Sequence, residues 1–346
     1  MAEICLGLVV LGVTAYAIFG GADFGAGFWD LTAGGAQRGG RLRGMIQRSM
    51  APVWEANHVW LIFILVIFWT SFPVAFGSVF STLSIPLFGA AVGIIFRGAA
   101  FALRGQAATI KEARVLGGLF AMSSVLIPFF FGAAIGGIAS GRVVVGNAAG
   151  DAITSWLNPT SIFIGVLGVV TGAHIAAVYL AGDSVRAGVP DMVHAFRVRA
   201  LGSGVVAGAL ALGGLLVVNS DAPELFDGLT SGVGLAMVAL SAAGGGATLG
   251  LVWFERYGLA RVTAGLAVAA ITVGWVFAQD PYLLPPELTL DEAAASDATL
   301  TALVIAVGVG MLILIPSLTY LYRLVLRGDL DQDFEPLDER FRPVEP

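Results

Sequence analysis

The chain has 346 residues, of which 57% are hydrophobic and 12% charged, with a mean hydropathy of +0.88. A soluble fold of that length could not bury so much apolar surface, so a polytopic membrane protein is expected. The net charge of −6 lies mostly in loops and in the C-terminal tail, which gives no reason to expect nucleic-acid binding, and the single Cys5 excludes an internal disulfide and a cysteine metal cluster.

A helical span needs about 20 apolar residues, and nine stretches supply them. They run Ile4–Leu31, Pro52–Ser71, Pro73–Phe101, Val115–Ile138, Ser161–Ala181, Ala200–Val218, Gly232–Trp253, Leu259–Phe277 and Leu300–Leu324, with kinks expected at Pro86 and Pro128. The apolar run that opens the first span leads into Asp23 and Asp30 with no small-residue cleavage site before the basic residues, so it reads as a retained helix. The loops alternate in charge. Arg38, Arg41, Arg43 and Arg48 follow span one; Arg104, Lys111 and Arg114 follow span three; Arg186, Arg197 and Arg199 follow span five; Arg256 and Arg261 follow span seven; Arg323 and Arg327 close span nine. The other loops carry Asp151, then Asp221, Glu224 and Asp227, then Asp280, Glu287, Asp291, Glu292 and Asp297, and only Arg142 breaks the pattern. By the positive-inside rule the N-terminus lies outside and the C-terminus in the cytoplasm. Residues 1–327 then form one transmembrane domain and 328–346 a charged cytoplasmic tail. Gly21, Gly25 and Gly244 to Gly246 suit close helix–helix approach, and packing is sufficient to explain them.

The stretch Pro52-Val53-Trp54-Glu55-Ala56-Asn57-His58-Val59-Trp60-Leu61 places a carboxylate, an amide and an imidazole at the start of an apolar run. Pro52 suits a first helical turn, and Glu55 and His58, three apart, share a face. An ionisable group at bilayer depth costs about 2.5–3.5 kcal/mol on insertion scales, so two within one turn point to proton handling or a cofactor, or else to a helix start that reaches headgroup water. Asp23, among glycines in Gly20-Gly21-Ala22-Asp23-Phe24-Gly25, suits a proton relay or a structural hydrogen bond equally, while Asp30, nearer the interface, reads as solvated. Arg97 either snorkels to the headgroups or pairs with Glu55 or Asp23. His174 lies mid-span and His194 in a basic loop; a bis-histidine haem would have only His58 and His174 to use. No zinc spacing, phosphate loop or nucleophile motif is present. Residue chemistry by itself reaches a proton-handling membrane protein.

Four motifs then occur in order: Gly21-Ala22-Asp23-Phe24-Gly25-Ala26-Gly27, the stretch from Pro52 to Leu61, Phe72-Pro73, and Phe96-Arg97-Gly98-Ala99-Ala100-Phe101. They resemble subunit II of cytochrome bd-type terminal oxidases, densely through about residue 105 and beyond that by helix count and length. The resemblance implies two four-helix bundles plus a peripheral helix, in a bacterial cytoplasmic (inner) membrane. It implies a heterodimer with a larger subunit I that carries the haems, b and d, and the quinol site. The complex would oxidise quinol and reduce oxygen to water, with no cofactor ligated directly by this chain. A structural quinone, lipid and small accessory subunits are further partners the family allows. Asp23 and Glu55 match the family's acidic positions on the cytoplasmic proton route, Trp60 matches the tryptophan beside the oxygen path, and Arg97 and Asn57 fall to structural polar or ion-pair roles.

Two departures mark a divergent branch. His58 stands where many members have glutamate or glutamine, and Ala102 where many have an acidic residue. An imidazole with pKa near 6.5 can relay protons where a carboxamide cannot, which adds His58 to the expected route. The alternative is a proton- or ion-coupled secondary transporter. Against it stands the lack of an inverted repeat and of interrupted helices at matching positions.

Overall fold

The computed structural model describes residues 1–50, 54–104, 107, 109–327 and 329. Pro52 and all of the 328–346 tail except residue 329 lie outside the described residues, and so does the reading placed on them. Among the described residues nine helices are long and apolar enough to cross a membrane. They are Ala2–Leu31, Trp54–Ser71, Ser84–Arg104, Lys111–Ala139, Pro159–Arg186, Pro190–Asp221, Gly232–Trp253, Tyr257–Gln279 and Asp297–Val325, called spans one to nine below.

Spans one to four form one bundle, in which span one packs on spans two and four and span three packs on span four. Spans five to eight form a second, closed ring. Span five also lies against spans one and four and so joins the bundles, while span nine lies against spans one and two at the edge of the first. Two four-helix bundles and a peripheral helix are therefore present.

Several boundaries differ from the expected ones for identifiable reasons. Pro73–Thr82 is a separate short helix, started by Pro73 in its first turn and ended at Leu83, so span three begins at Ser84. Pro86 then sits in a first turn, where a missing N–H breaks no hydrogen bond, and it starts a helix instead of kinking one. Pro128 lies inside a helix that continues through it. Span five begins at Pro159, where the Asn158 side chain accepts the Ser161 backbone N–H at 2.9 Å. Span six begins at Pro190, so His194, Arg197 and Arg199 lie on its first turns and not in a loop. His194 is exposed there.

The basic stretch after span one is also helical, over Ala36–Met50. Leu42, Met45, Ile46 and Met50 are buried from it at helical spacing, into the core shared with span five. After span eight a small hairpin pairs Tyr282–Leu284 with Leu288–Thr289. It runs into a capping box in which Thr289 accepts from the Glu292 N–H and Glu292 binds back. The Thr289 hydroxyl and backbone N–H hold the Glu292 carboxyl below its ordinary pKa.

The loops separate into two faces, as the charge alternation requires. On the basic face Arg41 pairs with Asp191, Arg197 with Glu255 and Arg261 with Asp183. On the other face Glu287 accepts the Val145 N–H, and the Ala295 N–H donates to the Ser71 carbonyl. Arg142, the charge that broke the pattern, donates to Asp221 at 2.7 Å and is neutralised there. The Asp151 carboxyl is held below its ordinary pKa by the backbone N–H groups of Thr154 and Ile153.

Candidate functional site

A buried polar cluster lies where spans one to four meet. Asp23, 4% exposed, accepts a hydrogen bond from the Asn57 amide at 2.6 Å. Asn57, two residues beyond Glu55 on span two, also reaches the Phe19 carbonyl at 3.4 Å. Arg97, 1% exposed, donates from Nη2 to the Asp23 carbonyl at 3.1 Å and from Nε to the Ser124 hydroxyl at 3.0 Å. Its guanidinium lies between two rings, 5.1 Å from the Phe24 centroid and 4.9 Å from that of Phe120. The Ser124 hydroxyl in turn donates to the Phe120 carbonyl at 2.7 Å.

Neither reading of Arg97 from sequence describes this arrangement. The side chain does not snorkel, because it is fully enclosed. Among the described residues no ion pair joins it to Glu55 or to the Asp23 carboxylate; it holds the Asp23 main chain instead. Cation and carboxylate thus share one buried cluster, which keeps it near electroneutrality.

Glu55 is exposed, whereas His58 turns inward, although they are one helical turn apart. The helix is interrupted between them: Trp54–Asn57 ends, His58 forms a turn, and Val59–Ser71 follows. His58 Nδ1 lies 2.9 Å from the Trp54 carbonyl. A carbonyl only accepts, so Nδ1 carries the proton and Nε2 keeps a free lone pair. The ring is edge-on to Tyr16, Phe24 and Trp54 at 6.1, 6.2 and 6.1 Å between centroids. Trp60 packs against the cluster of Tyr16, Phe24 and Ile127 and lies 5.9 Å from Phe63.

Three members were missed in the sequence. Ser124 anchors Arg97, as described. Tyr16 opens a π-helical turn over Tyr16–Gly20, and its hydroxyl is buried with no hydrogen-bond partner among the described residues. Such π turns recur at functional sites. Tyr322 of span nine donates to Asn57 Oδ1 at 3.0 Å. With Oδ1 occupied by a donor, the Asn57 amide nitrogen is the atom left to face Asp23, so Tyr322 sets the orientation of the pair. The available signal was a hydroxyl in an otherwise apolar span, too common to single out any of the three. Changing Tyr322 to Phe should lower the stability of the folded protein by about 0.5–1.5 kcal/mol, the scale of one neutral hydrogen bond. An unchanged melting temperature would remove Tyr322 from the cluster.

Asp30 is not solvated. It is 3% exposed and bridged by Arg43 at 2.7 Å and Arg104 at 2.8 Å, so it ties the Ala36–Met50 helix to the end of span three. His174 is buried in span five, and its Nδ1 donates to the Ala200 carbonyl at 3.0 Å. It belongs to the second bundle and His58 to the first, so the two imidazoles do not form an axial pair. Among the described residues no three His, Cys, Asp or Glu side chains gather as a metal-binding group. Gly25 meets the Gly172 backbone, and Gly244 meets Ala267. Gly245 and Gly246 face open space, so they serve no close approach within the chain.

Comparison with known proteins agrees with this architecture. The family described as "Cytochrome bd terminal oxidase subunit II" matches residues 1–325. A protein of Bacillus subtilis (strain 168) named "Putative cytochrome bd menaquinol oxidase subunit II" is 24% identical over 324 residues, which is 91% of this chain and 92% of the relative. The solved structure of bd oxidase from Geobacillus thermodenitrificans superposes with a TM-score of 0.75 and 27% identity, over 94% of this chain and 98% of that one. A match of that extent does not favour a secondary transporter. With nine apolar helices among the described residues, two bundles and a family match over residues 1–325, this chain belongs to the cytochrome bd terminal oxidase subunit II family.

Proposed function

We propose that this chain is the non-haem subunit of a respiratory oxidase in which a larger partner, subunit I, carries haems b and d, oxidises quinol and reduces oxygen to water. The relative from B. subtilis is named a menaquinol oxidase, which makes menaquinol the first donor to test. The haems supply electron transfer and oxygen binding in the partner. This chain's residues hold and pass protons and shape access. The chain is inserted with its N-terminus outside and its basic face in the cytoplasm, as one membrane domain over 1–327 followed by the charged tail 328–346.

The observation that carries the reading is the buried Asp23–Asn57–Arg97 cluster, with Glu55 exposed at the basic-face end of span two. Protons enter at Glu55, and Asp23 and His58 hold them inside the bundle. Arg97 fixes the Asp23 main chain and Asn57 its carboxylate, so the acceptor is positioned before a proton arrives. His58 offers Nε2 as an acceptor while Nδ1–H stays on the Trp54 carbonyl. Trp60, against the Tyr16 and Phe24 rings, lines the oxygen route. A structural quinone and small accessory subunits belong to the same reading.

The test of class is purification of a tagged chain from its native membrane, with a reduced-minus-oxidised spectrum and oxygen consumption. A larger, haem-bearing partner and quinol-dependent oxygen uptake are expected; a colourless chain purifying alone would overturn the assignment. Replacing His58 with Gln should slow oxygen reduction, because a carboxamide keeps the bond to the Trp54 carbonyl but cannot take up a proton. Unchanged turnover in the assembled complex would exclude His58 from the route.

A further inference from the structure

A groove of about 330 Å³ runs between the end of span one and spans five and six. That is within the ~300–1,000 Å³ range of small-ligand sites. Its floor and walls are apolar: Phe28 from span one, Val170 and Ala173 from span five, Val206 from span six. The polar side chains along it are engaged elsewhere. The Trp29 indole N–H donates to the Ala173 carbonyl at 2.8 Å, the Thr32 hydroxyl to the Phe28 carbonyl at 3.0 Å, and the Ser203 hydroxyl to the Arg199 carbonyl at 2.6 Å.

One charged residue, Arg199, contributes its hydrocarbon stem to this apolar lining. Arg199 is half-buried, with its guanidinium carbon 5.6 Å from the Trp29 ring and 5.9 Å from that of Phe196. Its only hydrogen bond among the described residues runs from Nη1 to the Ala195 carbonyl at 2.9 Å. The neighbouring Arg41, Arg43, Arg104, Arg186, Arg197 and Arg261 each have a carboxylate partner. Arg199 has none among the described residues, and most of its five N–H donors remain free. Trp29 lies two residues from the end of span one, the level at which amphipathic rings mark the membrane interface.

We propose that this groove binds a glycerophospholipid with an anionic headgroup, one acyl chain lying along Phe28, Val170 and Val206 and the phosphate received by Arg199. The two halves of the site require the two halves of the ligand. An unpaired cation resting on aromatic rings calls for an anion that can take a forked N–H contact. The apolar channel behind it, with every other polar group already satisfied, calls for a hydrocarbon chain. Bound there, the lipid closes the gap between span one and span six beside span five, where the two bundles meet.

Native mass spectrometry of the whole purified complex tests this, with phosphatidylglycerol or phosphatidylcholine added to the delipidated sample. Wild type should retain phosphatidylglycerol in preference to phosphatidylcholine. Arg199→Gln should weaken phosphatidylglycerol about tenfold, on the scale of one charged hydrogen bond. Gly202 lines the groove, and a side chain added there meets nothing within 4 Å, so Gly202→Leu should fill the space and displace both lipids without disturbing the fold. Arg256→Gln, at an exposed arginine of the same face, should leave retention unchanged. Oxygen consumption by each variant reports that the complex is intact. Equal retention of the two lipids by wild type, phosphatidylglycerol held undiminished by Arg199→Gln, or an equal loss on Arg256→Gln would each overturn the proposal. So would a quinone found in the groove in place of phospholipid.

Discussion

Replacing Asp23 with Asn should yield an assembled complex with a normal haem spectrum and oxygen consumption lower by about a hundredfold, the scale of losing a positioned proton-transfer group. The substitution preserves shape: an amide oxygen can still accept from Asn57 Nδ2, and the Asp23 carbonyl that receives Arg97 is main chain. The capacity to take up and release a proton is removed together with the negative charge beside Arg97, whose guanidinium keeps its bonds to the Asp23 carbonyl and the Ser124 hydroxyl. Asp30→Asn makes the contrast. That carboxylate is held by Arg43 and Arg104, and its loss would leave two buried or half-buried guanidinium groups without a counter-charge, so assembly should fall before turnover per complex does. Oxygen-electrode rates normalised to haem content separate the two outcomes. Full turnover in Asp23→Asn would show that the buried carboxylate only stabilises the bundle.

Gly25→Ala should prevent the two bundles from seating against each other. A Cβ at Gly25 would fall 1.9 Å from the Gly172 oxygen, 2.2 Å from its carbonyl carbon and 2.6 Å from the Ala173 nitrogen. All three are backbone atoms, so no rotamer change relieves the clash, and spans one and five must move apart. Gly21, one turn earlier, lies against Gly172 as well, which makes the pair a close-contact seam of small residues. Separation would stretch the bond from Trp29 to the Ala173 carbonyl and shift Asp23, which sits between the two glycines. Ordinary overpacking costs about 1–3 kcal/mol, and a clash with fixed backbone lies at or above the top of that range. Size-exclusion yield and thermal stability of the complex should fall sharply for Gly25→Ala. They should not change for Gly245→Ala, where an added methyl meets open space. Equal behaviour of the two variants would refute the seam.

The number of spans, their order and the alternation of the loops were legible in the sequence because each depends on local composition. Twenty apolar residues either cross a bilayer or do not, and basic residues collect on one side whatever the helices do to one another. The same local logic misplaced features that depend on packing. The basic stretch after span one looked like a loop, because its arginines dominate the composition. It is a helix, because Leu42, Met45, Ile46 and Met50 recur at the spacing that buries one face. Asp30 looked solvated from its place near the interface, and only the approach of Arg43 and Arg104 from other elements makes its burial tolerable.

The candidate site divides in the same way. Asp23, Asn57, His58 and Arg97 stood out in the sequence because polar groups in apolar helices carry a desolvation cost that demands an explanation. The sequence by itself thus determined a nine-span membrane protein with costly polar groups near the basic end of spans one to three. The tertiary structure decided which of those groups meet. It gave Arg97 to the Asp23 main chain and left Glu55 exposed. It also brought in Ser124 from span four and Tyr322 from span nine, far away in the chain. The physical reason is that helical spacing sets which residues share a face of one helix, whereas partners across helices depend on rotation and depth, and glycine contacts such as Gly25 on Gly172 set those.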